Sequence, residues 1–410
     1  MEEEFDSTTM WEMRLFLEEI CCNLCRFQHV DELQIAPVDI TIHQEAYLAL
    51  PGAYADISVQ VPGAAPYFVE VKYGYPASNI ISHVARKYGS NAPRLVGASK
   101  LVLVVPTSEY PDWPDIQRQI ESRLQKGLKL EIWDEPFLFS LIRKRFNLEI
   151  DAFSEGNMVQ LKAALDHSKG HWAFGDSWKA TPLQSALLWS FGFWKLKQFR
   201  ELNHLTPESI LPPGMYKGAV AVLADLCSFS SYVRDTRNDA VIRQCLTSFY
   251  SKARYEILNS GGMIYQFVGD EVIGLYGIPR HTEGYQQSAL ECAKALVDLG
   301  NSISHQWQRQ IDRIQTSQGV HIGVAMGDIQ VVSLQPFGRA HIGAVSDAIN
   351  MANRLLAKAG SSEIVVSNTF IRGLDEKSQT QFREIDPVDA RNLGTIRAWK
   401  TGPINAPDKE

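Results

Sequence analysis

The chain has 410 residues, of which 45% are hydrophobic and 21% charged, a composition typical of globular domains. A chain of this length is too long for one ordinary hydrophobic core. Its 40 lysines and arginines are outnumbered by 47 aspartates and glutamates, which gives a formal net charge of −7. That balance excludes a protein that coats nucleic acid through general basicity, although a local basic patch would not show in the total. Two or three domains are expected.

The amino terminus and the hydropathy pattern predict a cytoplasmic protein without a membrane span. Met1 is followed by three glutamates, the wrong charge for a signal peptide, and no apolar region follows. No run approaches the roughly 18–20 apolar residues that a transmembrane helix needs. The aromatic segment 185–195 predicts a buried helix or helical interface, with a helix lying on a membrane surface as the alternative. The six cysteines lack the spacing of a metal site and are expected to be reduced thiols.

Residues 1–150 alternate helical and strand patterns, which predicts an α/β domain. The strands at 55–61 and 67–73 would pair across the Pro62–Gly63 turn. The remaining predicted elements are helices at 12–27, 80–88, 116–126 and 137–146, and strands at 100–105 and 128–133.

An aspartate and an E-x-K strand form a weaker candidate site in this domain. Asp56 precedes the hairpin, and Glu70 and Lys72 lie in the next strand. The arrangement resembles the PD-(D/E)XK restriction-endonuclease-like core, in which two carboxylates bind Mg²⁺ and the lysine polarises the attacking water. Glu18 or Glu19, on the preceding helix, would add a further acid. The alternative is a solvated ion pair, because strand alternation places Glu70 and Lys72 on one face.

Residues 151–213 show no strand signals and predict a helical connector that ends at Pro212-Pro213-Gly214. From residue 214 the pattern becomes strand, helix, hairpin, helix, strand, helix, strand. The connector carries four of the nine tryptophans: Trp172, Trp178, Trp189 and Trp194.

Two aspartates end neighbouring strands in the C-terminal part. The apolar run 219–226 delivers Asp225 at its carboxyl end, and the runs around Gly269 form a hairpin with Asp270 at its tip. Two such carboxylates can hold two divalent ions about 4 Å apart, one activating a hydroxyl and the other neutralising a triphosphate. Beside the first, Phe229 and Ser230 begin a helix whose free N–H groups suit a phosphate. Each aspartate alone would be read as a turn or cap residue.

A third element, the helix predicted over 346–358, carries Asn350 and Arg354 on one face, one turn apart. An arginine fork suits a pentacovalent phosphate, and an asparagine can hold a ribose. A solvated helix face is the alternative on spacing alone.

The segments around Asp225 (VLADLCSF), Asp270 (FVGDEV) and Asn350 (SDAINMANRL) resemble, in order and spacing, the signatures of class III adenylate and guanylate cyclases. The resemblance covers residues 218–400. It implies a ferredoxin-like α+β catalytic domain over 214–404 and two Mg²⁺ or Mn²⁺ per active site. It also implies a homodimer, in which Asn350 and Arg354 reach across to the partner's two aspartates. Arg391 aligns with a phosphate-contacting lysine of that family, although the surrounding glycine pattern is lost.

The base-reading positions depart from both purine patterns. At the position of Gln266, adenylate cyclases carry Lys and guanylate cyclases carry Glu. At the position of Gly343, adenylate cyclases carry Asp or Thr and guanylate cyclases carry a small residue. A glutamine both donates and accepts, which suits uracil, and Tyr265 and His341 would narrow the pocket. The chain thus resembles Pycsar-type bacterial anti-phage cyclases, with UTP expected ahead of CTP. The alternatives are an ATP or GTP cyclase and a degenerate, inactive pocket.

These resemblances combine into one functional hypothesis and one rival. The first is a cyclase whose cyclic nucleotide activates a separate effector. Its N-terminal domain would sense nucleic acid or a phage component through the connector. The rival is a nuclease or nucleic-acid-binding protein that uses an inactive cyclase domain as a dimeriser. A diguanylate cyclase is disfavoured, because Val268 and Val272 replace the Gly and Phe of the GGDEF hairpin.

Overall fold

The chain was analysed as a computed structural model, which describes residues 7–334, 341–390 and 394–405. It divides into two compact units, Met1–His171 and Trp172–Glu410. The boundary lies within the helical region predicted over 151–213, so that region contributes residues to both units.

The first unit is built on a five-stranded mixed sheet in the order β1-β2-β3-β4-β5. β1 to β3 are antiparallel neighbours, whereas β4 is parallel to both β3 and β5. Each parallel connection contains a helix, as such a crossover requires. The strands are β1 Thr41–Leu50, β2 Ala53–Gln60, β3 Tyr67–Val71, β4 Lys100–Val104 and β5 Lys129–Trp133, and the helices are α1 Ser7–Asp31, α2 Ala77–Tyr88, α3 Trp113–Arg123, α4 Glu135–Phe146 and α5 Glu155–Phe174.

The local sequence explains most of these elements. β4 is a continuous apolar run that is buried on both faces, as expected of a parallel strand in the middle of a sheet. α4 begins where the Asp134 side chain accepts a hydrogen bond from the Phe137 N–H. β1 was not predicted, because its alternation is interrupted where Glu45 and Ala49 adopt positive φ angles of 53° and 55°.

The second unit is built on an eight-stranded sheet. Seven strands follow the order β12-β13-β11-β9-β6-β8-β7, and β10 pairs with β9. The strands are β6 Gly214–Leu226, β7 Met263–Val268, β8 Glu271–Tyr276, β9 Val320–Leu334, β10 His341–Val345, β11 Ile364–Ser367, β12 Arg383–Ala390 and β13 Gly394–Lys400. The helices are α6 Pro182–Ser190, α7 Phe193–Asn203, α8 Pro207–Ile210, α9 Phe229–Asp235, α10 Asp239–Asn259, α11 Tyr285–Ile311, α12 Asp347–Leu356, α13 Asn368–Ile371 and α14 Glu376–Gln379.

The central part of this sheet has the β-α-β-β-α-β order of a ferredoxin-like fold. The first and last strands of that order, β6 and β9, lie side by side and antiparallel, and the hairpin β7–β8 pairs with β6 through β8. The core between sheet and helices contains Val222 of β6, Phe249 of α10 and Leu296 of α11, all at most 1% exposed. β6 therefore lies in the middle of the sheet, and its carboxyl end lies between the strands β8 and β9.

The aromatic segment 185–195 is not one helix. α6 ends at Ser190, and α7 begins at Phe193. Phe191, between them, is buried and forms a β-bridge with Met263 at the start of β7. The expectation of a buried segment holds at Phe191, whereas Trp189 is 56% exposed. Among the described helices, none combines the length and the hydropathy needed to cross a bilayer.

Candidate active site

The two aspartates predicted to bind metal lie next to each other at one end of the sheet. Asp225 is the penultimate residue of β6 and is directly opposite Glu271, the first residue of β8. Asp270 immediately precedes Glu271 in the hairpin turn, where Gly269 has a φ of 63°. Burial, and then the charge of the Asp225 carboxylate, raise the pKa of Asp270 to about 7. The fold thus places two carboxylates within electrostatic reach, which sequence spacing only suggested.

Aromatic packing supports the turn that carries Asp270. The Tyr250 ring of α10 stacks on Phe267 of β7 with ring centroids 4.5 Å apart. The Tyr250 hydroxyl donates a hydrogen bond to the carbonyl of Gly269. On the other side, Phe267 makes an edge contact with Trp189 of α6, at a centroid distance of 6.5 Å. The turn is therefore held from its β7 side by helices α10 and α6.

A histidine that the sequence did not reveal completes the surroundings of Asp225. His321 of β9 is directly opposite Asp225 on the side away from β8, and its Nε2 lies 2.9 Å from Asp225 Oδ2. Its Nδ1 lies 3.4 Å from the sulfur of Cys227. Although burial lowers the pKa of His321, the hydrogen bonds with Asp225 and Cys227 raise it to about 10. The role of His321 can be found only from the register between β6 and β9, and the sequence does not show that these two strands pair.

The predicted phosphate turn follows directly after β6. Ser228 has a φ of 59° and is the N-cap of α9, which begins at Phe229. The ring of Phe229 makes an edge contact with Trp307 of α11, at a centroid distance of 6.1 Å, and the side chain of Ser230 is exposed. Since the first N–H groups of a helix have no intrahelical acceptor, this start suits an anion close to Asp225.

The helix predicted to carry the transition-state residues is α12, capped by Ser346, whose hydroxyl accepts from the Ala348 N–H. Its inner face is buried through Ala348, Ala352, Leu355 and Leu356. Asn350 and Arg354 are exposed on the opposite side. In a single chain these two side chains therefore face solvent.

The two predicted base-reading positions lie on strands that a tyrosine connects. Gln266 of β7 is exposed, and Gly343 of β10 is buried. Tyr265 precedes Gln266, and Ala344 follows Gly343. The Ala344 N–H donates to the Tyr265 hydroxyl at 3.0 Å, and that hydroxyl lies 3.4 Å from the Ala344 carbonyl oxygen. The side chain of His341 and the whole of Arg391 lie outside the described residues.

The donor set at Asp225 and Asp270 fits magnesium or manganese. Within the described ranges, no three His, Cys, Asp or Glu side chains come together as a metal cage. Mg²⁺ is commonly bound by one or two carboxylates and completed by water and substrate phosphates rather than by an all-protein cage. Burial first, and then the charge of the Asp225 carboxylate, raise the pKa of Asp270, and a divalent cation would relieve the repulsion between the two carboxylates.

The weaker candidate site of the first unit is also brought together, but its charges are paired internally. The Lys72 Nζ lies 2.9 Å from Asp56 Oδ2 and 2.5 Å from Glu70 Oε2. Lys87 of α2 donates to both oxygens of Glu70 at 2.9 Å, and the Tyr88 hydroxyl donates to Glu70 at 2.6 Å. Glu70 is fully buried. A metal ion here would have to displace an ammonium group, and the solvated pair of the alternative interpretation is wrong because the cluster is buried.

Lys87 and Tyr88 were not predicted as members of this cluster. Lys87 follows Ile80 and Val84 on the inner face of α2, and all three are buried. A lysine at core spacing in an amphipathic helix is the signal that points to a buried acidic partner.

Comparisons with known proteins find similarity to part of the chain. No protein-family model matches. An uncharacterized protein of Mycobacterium tuberculosis is 24% identical over 181 residues, which are 43% of this chain and 31% of that protein. The chain thus spans about a third of the length of the curated relatives that it matches.

Two solved structures resemble about half of the chain. The guanylyl cyclase Cya2 is similar with 18% identity and a TM-score of 0.41, over 48% of this chain and 97% of that one. The adenylyl cyclase CyaB from P. aeruginosa is similar with 18% identity and a TM-score of 0.38, over 49% of this chain and 98% of that one. Similarity at this level leaves the assignment of function to the residues of the site.

Proposed function

We propose that the second unit is a class III nucleotide cyclase, which converts a nucleoside triphosphate to a 3′,5′-cyclic nucleotide and diphosphate. The observation that carries this proposal is the adjacency of Asp225 and Asp270 at strand ends, with the start of α9 following β6 directly. Both carboxylates are only partly buried, and the Asp225 side chain is 25% exposed, so a metal–triphosphate complex has access.

In this mechanism each residue has one task. The 3′-oxygen attacks the α-phosphorus, its proton leaves to solvent, and the bond to the β-phosphate oxygen breaks to release diphosphate. Asp225 and Asp270 would hold Mg²⁺ or Mn²⁺, which would supply activation of the 3′-hydroxyl and neutralisation of the triphosphate. The N–H groups that begin α9 at Phe229 and Ser230 bind phosphate oxygens. Arg354 stabilises the pentacovalent phosphorus, and Arg391 is proposed as a further phosphate contact.

We propose a homodimer with composite sites. Asn350 and Arg354 face solvent in one chain and would reach the triphosphate on a partner's aspartates, with Asn350 orienting the ribose. Two apolar side chains near the site are also exposed: Val268, beside the Asp270 turn, by 50%, and Val345, two residues after Gly343, by 66%. Surface aliphatic groups in this place suit a partner of the same chain.

The substrate we propose is UTP. Gln266 is exposed and offers both a donor and an acceptor, while Gly343 offers no side chain. Tyr265, beside Gln266, hydrogen-bonds the backbone of Ala344, and its ring would narrow the proposed base pocket. By the resemblance to Pycsar cyclases, the product would be cyclic UMP acting on a separate effector in anti-phage defence, in the cytoplasm.

The first unit is proposed to be a restriction-endonuclease-like sensor of nucleic acid or a phage component. Its order of helix, three antiparallel strands, helix and parallel strand agrees with that core. Cleavage is not proposed, because Asp56 and Glu70 are paired with Lys72 and Lys87. DNA cleavage with Mg²⁺ that is lost in Lys72→Ala and kept in Asp270→Ala would support the rival nuclease function.

The deciding experiment offers purified protein each of the four ribonucleoside triphosphates in turn with Mn²⁺ or Mg²⁺. We expect cyclisation of UTP first, and its loss by at least about 100-fold in Asp225→Ala and Asp270→Ala, because each removes a metal ligand. Gln266→Lys is expected to shift the preference away from UTP. The proposal is abandoned if no nucleotide is cyclised; an unaltered preference in Gln266→Lys would remove only the role of Gln266.

A further inference from the structure

We infer that His321 is a positioning residue for the first metal-binding carboxylate: it fixes Asp225 through Oδ2 and leaves the other oxygen for the cation. The inference rests on the proposed function. It adds a residue that lies outside the three sequence signatures, on a strand that those signatures do not contain.

The direction of the hydrogen bond between His321 and Asp225 follows from the chemistry of the two groups. Asp225 as a carboxylate can only accept, so His321 Nε2, at 2.9 Å, must carry the proton. The other ring nitrogen, Nδ1, lies 3.4 Å from the sulfur of Cys227 and makes a second polar contact for the same ring. Cys227 is 2% exposed, so this second contact is shielded from water. The sulfur and the carboxylate together hold the ring in one orientation.

Strand register explains why His321 is the cross-strand neighbour that can donate a hydrogen bond to Asp225. Residues directly opposite in an antiparallel pair have adjacent side chains on the same face. Asp225 has Glu271 opposite on β8 and His321 opposite on β9. Of these two, only His321 offers an N–H. It is therefore the cross-strand neighbour that can hold the carboxylate against the repulsion of Asp270.

A fixed carboxylate favours metal binding because its rotamer is set before the ion arrives. Hydrogen-bonding partners of metal ligands contribute roughly 10- to 100-fold in metal affinity in characterised sites. Without the imidazole, Asp225 would lose the hydrogen bond to His321 Nε2, and part of the binding free energy would be used to order its side chain. The effect should appear in metal affinity, before any nucleotide is added.

The test measures Mn²⁺ binding to the full-length protein by the electron paramagnetic resonance signal of free Mn²⁺. His321→Ala is expected to bind Mn²⁺ about 10- to 100-fold more weakly than the wild type. His321→Gln is expected to stay within about threefold, because the glutamine amide places an N–H near the position of Nε2. His281→Ala is the matched control: His281 bonds the carbonyl of Lys217, which lies near the other end of β6, and its variant should bind like the wild type.

Each result decides between defined possibilities. If His321→Ala binds Mn²⁺ as the wild type does, or if the glutamine variant is as weak as the alanine variant, His321 does not position Asp225. Thermal unfolding of all three variants shows whether a loss of Mn²⁺ binding is caused by a loss of folding. If His321→Ala does not fold, His321→Gln still tests whether an N–H at this position supports Mn²⁺ binding. If the wild type itself binds no Mn²⁺ at Asp225, the proposed function fails, and this inference with it.

Discussion

Two buried or half-buried acidic clusters in this chain differ in what neutralises them. In the first unit, Asp56 and Glu70 each lie against a lysine Nζ, so the cluster is internally balanced. In the second unit, Asp225 and Asp270 lie against each other, and the ring of His321 hydrogen-bonds to Asp225. Like charges in contact raise a pKa, whereas paired charges satisfy each other. At the scale of single residues, this difference is why the second site is expected to take up a cation.

Lys195 is a residue whose burial has a measurable cost. It is 3% exposed on α7, and its ammonium donates to the carbonyl of Gly261. Burial lowers its pKa from 10.5 to about 8. Below pH 8 the lysine is protonated in both the folded and unfolded chain, and the full cost of the buried charge applies. Between about pH 8 and 10.5 only the unfolded chain holds the proton, so stability rises with pH.

Lys195→Met is therefore expected to stabilise the protein at neutral pH. The shift corresponds to about 3 kcal/mol, from which the lost hydrogen bond removes about 1 kcal/mol. Urea unfolding at pH 7 should show a gain of about 2 kcal/mol, and at pH 10 that gain should be largely gone. A variant that is less stable than the wild type at both pH values would contradict this account.

At the scale of elements, the sequence predicted well those segments whose signal is local. The strand before Asp225, the hairpin around Asp270 and the helix with Asn350 all appear at or near their predicted bounds. The sequence pattern predicts one element over 185–195, whereas the structure has two helices on either side of Phe191, which forms a bridge to β7. β1 escaped prediction because positive φ angles interrupt its alternation. Local periodicity reports an element only where the backbone stays regular.

The packing of α12 on β9 depends on a glycine without a side chain. A Cβ at Gly323 would collide with the backbone of Ala352 and Leu356. Helix and strand thus approach more closely than any other residue would allow, and this contact sets where Asn350 and Arg354 stand.

Gly323→Ala is expected to destabilise the second unit by about 3 kcal/mol, at the upper end of overpacking, because the obstacle is backbone and cannot rotate away. Gly402→Ala is the control, since a Cβ there meets nothing within 4 Å. The two variants are compared by thermal unfolding. Equal melting temperatures for both would show that α12 is not seated on β9 as described.

At the scale of the whole molecule, the proposed dimer predicts complementation between two inactive variants. Asp225→Ala destroys the metal side of a site, and Arg354→Ala destroys the side reached from the partner. A heterodimer of the two variants would hold one site with both defects and one intact site. Mixed in equal amounts and allowed to exchange, they should recover about a quarter of the wild-type activity, since half of the dimers have one working site of two.

The control for this experiment mixes Asp225→Ala with Asp270→Ala. These two defects lie on the same side of the proposed interface, so every site would lack a metal ligand and activity should stay absent. Recovery in the control, or none in the test mixture, would show that the sites are not shared between chains in this way.

The identity and order of the chemical groups follow from the amino-acid sequence alone. Asp225, Asp270, Asn350 and Arg354 stand in segments whose turns, strands and helix are encoded locally, so the elements that carry them followed from pattern. In the first unit, Asp56, Glu70 and Lys72 were likewise found as a set. A local signal suffices wherever a residue's environment is made by its near neighbours along the chain.

Which of these groups share an environment depends on how the chain folds. His321 is remote from Asp225 in sequence and meets it because β6 pairs with β9 in one register. Lys87 meets Glu70 because α2 crosses between β3 and β4. A shift of register by one residue would turn either contact to the opposite face of its sheet, and no local pattern encodes the pairing. For that reason the charge balance of both sites could be read only from the folded chain.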